Sequence, residues 1–155
     1  NDILDFVPNI KKLILPVDWL GAINKYQTRN LLNAFHSDKH IIIFPAGEVS
    51  KLRNFAIQDM EWNPSFIKKA IQFKRDIIPV RISGRNSILF YTVSTLRRLF
   101  KMDFNIEMFL LIREMFNKRN NYINVKFGNP IFYKTLNGDK MKSEAKRIKE
   151  ITCSI

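Results

Sequence analysis

His40-Ile41-Ile42-Ile43-Phe44-Pro45-Ala46-Gly47-Glu48-Val49-Ser50-Lys51 is the most informative stretch of this 155-residue chain. Ile41 to Phe44 form a short, continuous, β-branched run, the pattern of a strand buried on both faces of a parallel sheet. Pro45 stops the run, and Gly47 permits a tight turn and close backbone approach to a ligand. Polar residues follow at once. In open α/β sheets ligands bind just past the carboxyl ends of strands, so Pro45, Gly47, Glu48, Ser50, Lys51 and Arg53 are candidate binding residues. Lys51 and Arg53 suit a phosphate or carboxylate. A plain strand-to-loop turn with solvated charges is the alternative reading.

Working outward, apolar runs alternate with helical patterns, which predicts an α/β fold, a mostly parallel sheet flanked by helices. Leu13 to Val17 reads as a strand, and Tyr26 to Phe35 as a helix with Tyr26, Leu31, Leu32 and Phe35 near one face. Asn63 caps the next helix and Pro64 suits its first turn, with Phe66, Ile67, Ala70 and Ile71 on one face. Ile77 to Ile82 is a strand in which Pro79 requires an edge position or a bulge. Ser87 caps a helix running towards Phe100, and a further helix spans Ile106 to Phe116. Tyr122 to Phe127 alternates as a half-buried strand ended by Gly128-Asn129-Pro130. The last helix runs from Lys140 to Thr152, with Met141, Ala145, Ile148 and Thr152 inward. No repeat or low-complexity segment interrupts this order, and one domain spans residues 1–155.

Twenty-six Lys and Arg against 14 Asp and Glu leave a net charge of +12. Such a surplus serves a solvated surface, an anionic membrane or nucleic acid. The basic pairs, among them Lys11-Lys12, Lys68-Lys69, Lys74-Arg75, Arg97-Arg98 and Lys118-Arg119, are dispersed, and no nucleic-acid motif is present, so a basic non-enzymatic nucleic-acid module is the lesser alternative. One cysteine and two histidines offer too few ligands for a zinc site, and no metal or bound cofactor is expected. Cys153 reads as a small apolar residue in a reducing, intracellular setting. The apolar segment Phe104 to Ile112 is too short to span a bilayer. It reads as a core helix or as an interfacial helix flanked by Arg97, Arg98, Lys101, Lys118 and Arg119.

Phe44-Pro45-Ala46-Gly47-Glu48-Val49-Ser50 resembles the Phe-Pro-Glu-Gly-Thr-Arg-Ser motif of glycerolphosphate and lysophospholipid acyltransferases. Ile77-Ile78-Pro79-Val80 is similar to the strand that follows in that family, and Arg29 fits the Arg of the preceding helix. A bacterial, hemolysin-like branch of lysophospholipid acyltransferases is more similar still, in Phe-Pro-Ala-Gly, Glu61-Trp62, Gly84-Arg85-Asn86-Ser87 with Phe90-Tyr91, and Gly128-Asn129-Pro130-Ile131. The resemblance implies acyl transfer from acyl carrier protein or coenzyme A to a lysophospholipid, glycerol phosphate or amino-acid lipid. It also implies a peripheral place on the inner membrane face, with Arg29, Arg85 and Asn86 joining the candidate substrate-binding residues. Ala46 and Val49 depart from the motif's Glu and Arg, which opens the way to an acceptor without phosphate.

The family's chemistry uses a His-x-x-x-x-Asp motif, the His as general base and the Asp orienting it. The fifth residue after His36 is Ile41 and after His40 is Pro45, so neither fits. Asp38 lies between the two, but His36 is better placed to support a helix C-terminus. The motif is therefore expected upstream of Asn1, and the isolated chain is expected to be inactive.

Overall fold

The computed structural model describes residues 13–15, 25–47, 49–53, 56–101, 106–119 and 121–155. They belong to two units, one ending at Ile43 and the other beginning at Phe44. In the first unit α1 spans Lys25–His36. Phe35 is buried on it, as the sequence periodicity predicts, and His36 is its last residue. Leu13 to Leu15 form no strand, and Pro16 and Val17, like Lys11 and Lys12, lie outside the described residues.

The predicted buried strand Ile41 to Phe44 is corrected by the structure. A buried parallel strand needs ladder partners and cover on both faces. Among the described residues nothing pairs with these four, and Ile42 is 82 % and Phe44 71 % exposed. The mostly parallel sheet is corrected with it. The described strands form two antiparallel pairs: β1 (Lys51–Arg53) with β2 (Ala56–Gln58), and β3 (Val80–Ile82) with β4 (Val125–Phe127). For β1 and β2 the reason is chain length. Only two residues separate Arg53 from Ala56, whereas a parallel pair needs a crossover of about a dozen.

The second pair carries the irregularity that Pro79 requires. Beyond Val80↔Phe127 the next bridge is Ile77↔Ile131. Two residues on one strand, Ile78 and Pro79, therefore face three on the other, and the extra residue sits in Gly128-Asn129-Pro130 as a bulge. Pro79 lacks a donor but accepts from the Gly128 N–H at 2.8 Å. β4 is not half-buried as its alternation predicts: Val125, Lys126 and Phe127 are all exposed, because among the described residues β3 is its only ladder neighbour. Arg81 and Lys126 stand directly opposite each other. Like charges there repel, but both donate to main-chain oxygens at the end of α5 (Met141–Ser154), Arg81 to Cys153 at 2.6 Å and Lys126 to Ile155 at 2.8 Å. Cations favour that negative helix end.

The core lies between α2 (Ser65–Gln72) and α5. Phe66, Ile67, Ala70, Leu136, Ala145 and Ile148 form its buried cluster, with Trp62, Ile71 and Met141 against it. Trp62 meets Phe66 edge-on at 6.2 Å. The inward residues predicted for α5 are confirmed. Pro64 already has helical dihedrals, so Asn63 acts as the cap, its Oδ1 accepting from Ser65 N–H at 2.9 Å. α2 ends in a Schellman motif, with Arg75 N–H to Ala70 O at 2.9 Å and Lys74 N–H to Ile71 O at 3.3 Å. Lys74 sits there at φ 52°.

α3 (Ile88–Leu99) and α4 (Ile106–Asn117) pack against each other, and α3 also against β1. Ser87 caps α3, accepting from Phe90 N–H at 3.3 Å. α4 is only partly a core helix: Phe109, Ile112, Met115 and Phe116 are exposed. Cys153 is also exposed rather than packed.

Candidate functional site

The motif stretch folds as a turn followed by a hairpin. Gly47 N–H donates to Phe44 O at 3.1 Å, closing a β-turn with Pro45 at its second position. Gly47 has φ +67°, and a Cβ placed on it would meet nothing within 4 Å. The glycine is thus required by its backbone angle, and the space beside it is open. Pro45 O accepts from Asn63 N–H at 2.9 Å, which ties the turn to the start of α2. Lys149 of α5 reaches Asp59 O and Met60 O at 3.0 and 2.9 Å and holds the far side of the hairpin. The stretch from Pro45 to Arg53 is not one loop as the sequence suggests, because Lys51, Leu52 and Arg53 are strand residues. Alternation places Lys51 and Arg53 on the same face of β1. Ser50 hydrogen-bonds Asp59. Glu48 lies outside the described residues, and Arg29 stands on α1 in the other unit.

Gly84-Arg85-Asn86-Ser87 is held on three sides. Ser87 donates twice to Glu114 of α4, its backbone N–H to Oε2 at 2.7 Å and its hydroxyl to Oε1 at 2.6 Å. Asn86 N–H donates to the Tyr91 hydroxyl at 3.2 Å, and Lys118 Nζ donates to Asn86 Oδ1 at 3.0 Å. Glu114 is 3 % exposed. Burial disfavours its charge, but the Ser87 hydroxyl and N–H, then Arg113 and Lys118, outweigh that and hold the carboxyl below its ordinary range. A buried carboxylate that uses both oxygens as acceptors is a structural clasp, and it leaves Arg85 and Asn86 at a defined place.

A cavity of about 440 Å³ opens there, lined by Ile57, Arg85, Asn86, Tyr91, Glu114 and Lys118 among others. Its size suits a small molecule or lipid headgroup. The structure brings Arg85 and Asn86 together with Ile57 of the hairpin. Pro45, Gly47, Ser50, Lys51 and Arg53 are not among the lining residues, although Arg98 of α3 donates to Leu52 O at 3.3 Å and so joins the hairpin to the same helix. Glu114, Lys118 and Tyr91 were not among the residues predicted to form the site. Glu114 carried a usable signal: with Leu110 and Leu111 it occupies the inward stripe of α4 at helical spacing.

A sequence profile described as acyltransferase matches residues 1–150. The chain belongs to the acyltransferase family. This acyltransferase-family chain is 37 % identical over 152 residues to a lyso-glycine lipid O-acyltransferase of Bacteroides thetaiotaomicron, covering 97 % of the chain and 56 % of the relative. It is 34 % identical over 145 residues to a protein of the same name from Phocaeicola vulgatus, covering 94 % of the chain and 51 % of that relative. The chain spans about half the length of these curated relatives. No solved structure matches it.

Proposed function

We propose that the protein carrying this chain transfers a fatty acyl group from the thioester of an acyl carrier protein or coenzyme A to a hydroxyl of an amino-acid lyso-lipid. The observation that carries this reading is the 37 % identity, over 97 % of the chain, to a relative named for O-acylation of a lyso-glycine lipid. Ala46 and Val49 support an acceptor without phosphate, since they stand where the phosphate-recognising motif has Glu and Arg.

In this reading the acceptor oxygen attacks the thioester carbonyl, the C–S bond breaks, and the thiolate leaves. The hydroxyl proton passes to a general base, the His of the family's His-x-x-x-x-Asp motif. Arg85 borders the cavity and is the group to pair with a headgroup carboxylate, since guanidinium binds carboxylates through two parallel hydrogen bonds. Asn86 and Lys118 form the polar wall beside it. Ile57 of β2 bounds the acceptor on the hairpin side. The protein works peripherally on the inner membrane face, where both its lipid acceptor and an anionic surface are available. The reading includes no metal or bound cofactor.

The test uses the full-length protein with lyso-glycine lipid, lysophosphatidic acid, acyl-acyl carrier protein and acyl-coenzyme A, followed by mass spectrometry. One acyl chain should be added to the amino-acid lipid. Arg85→Ala should raise the KM for that acceptor about tenfold, the equivalent of one charge-assisted hydrogen bond. Turnover of lysophosphatidic acid alone would overturn the acceptor class, and no acyl product from any lyso-lipid would overturn the reaction.

A further inference from the structure

We propose that the α3–α4 helix pair is the surface by which the protein docks onto an anionic lipid bilayer. α3 buries Phe90, Tyr91 and Ser94, and it packs against α4 and β1. Its opposite side should be polar if it faced water. Instead, at 100° per residue, Ile88, Leu99, Thr92, Leu96, Leu89 and Phe100 fall in that order within about 120° of arc. All six are exposed. On α4, Met115, Ile112, Phe116 and Phe109 occupy a second exposed arc of about 120°. The most exposed of these large apolar side chains, Ile88, Leu99, Phe100, Phe109, Met115 and Phe116, are 63 to 86 % exposed. Exposed apolar stripes of this size mark an interaction surface.

The charge around these arcs favours lipid. Residues 85–119 hold seven Lys and Arg against three acids, and one of those acids, Glu114, is consumed inside by Ser87. Arg98 and Lys118 are also engaged, on Leu52 O and Asn86 Oδ1. Lys101, just past the end of α3, and Arg119, just past the end of α4, are exposed. Apolar arcs bounded by cations are the pattern of helices that lie in the headgroup region. Among the described residues no helix is long and apolar enough to cross a membrane, so each 12-residue helix lies along the surface. The same two helices carry the Ser87–Glu114 clasp and the cavity, which places the cavity at the lipid boundary. The inference stands on this surface alone, and its test reads binding without turnover, so a failure to transfer acyl groups leaves it intact.

The full-length protein should sediment with vesicles of phosphatidylcholine and phosphatidylglycerol and far less with phosphatidylcholine alone. Lys101→Glu with Arg119→Glu should lower partitioning about tenfold at low salt and little near 1 M, where the screening length is about 3 Å. Leu99→Ser with Phe116→Ser should lower it about tenfold at both salts, because apolar insertion is not screened. The thermal melting of that apolar double variant without vesicles should match wild type. A large fall in its melting temperature would show that the rest of the protein covers these residues, and would overturn the inference. Loss of concentration-dependent self-association in the variant, with vesicle binding unchanged, would assign the face to a second copy and also overturn it. Binding unaltered by either double variant would do the same.

Discussion

The α2–α5 pair and the α3–α4 pair are both two-helix contacts, yet they are held by different forces. Between α2 and α5 the contact is dry: Ile67 is 0 % and Ile148 1 % exposed, and the buried cluster there is entirely apolar. Between α3 and α4 a carboxylate, Glu114, is buried as deeply as Phe90, and its two oxygens take the N–H and hydroxyl of Ser87, while Leu99, Phe109 and Phe116 are exposed. Apolar burial is non-directional and tolerates small shifts. A double hydrogen bond to a buried carboxylate fixes register, and losing one partner is costly. The first contact therefore supplies stability, and the second sets the position of Arg85 and Asn86.

The largest effect should come from breaking the dry side. Ile67→Ala removes a fully buried side chain and should cost about 2–5 kcal/mol, seen as a lower urea midpoint with an unchanged slope. The cavity residues keep their own partners, so acceptor KM should move little in the folded fraction. If Ile67→Ala raised KM as much as Arg85→Ala, the two contacts would not be separable in this way.

Glu114→Gln sharpens the other side. An amide turns one acceptor into a donor facing Ser87, and the expected cost is about 1–3 kcal/mol. Amide hydrogen exchange should speed up first around Ser87 and the start of α3. The carboxyl is held below its ordinary range in the folded protein, so its stabilisation is complete above the unfolded value and fades as pH falls through the folded one. Below about pH 4.3, the ordinary Glu value, wild type should lose stability on acidification more steeply than Glu114→Gln. Parallel pH curves would remove the ionised clasp.

The smallest effect is a gain. Lys74 closes α2 at φ 52°, a conformation unfavourable for a side chain with a Cβ. Lys74→Gly should raise stability by up to about 1 kcal/mol, read as a small rise in melting temperature, while leaving Glu114-dependent acid behaviour unchanged.

The sequence by itself determined what local chemistry controls. The caps at Asn63 and Ser87, the inward stripe of α5 and the end of β4 at Gly128 all lie within a few residues of their causes. So does the turn at Pro45–Gly47, where proline presets one angle and glycine accepts φ +67°. The resemblance of Gly84-Arg85-Asn86-Ser87 to a family motif drew attention to Arg85 and Asn86, and both line the cavity. Pairing direction was not legible. Ile41 to Phe44 have a strand's composition, but a strand exists only if a neighbour supplies its ladder, and composition does not name the neighbour. Only the tertiary structure joined Ser87 to Glu114 across 27 positions, set Arg81 and Lys126 on the end of α5, and turned the apolar arcs of α3 and α4 outward. Side-chain type decides what a residue can bond to, whereas which residues meet depends on how distant segments share the limited space of a core.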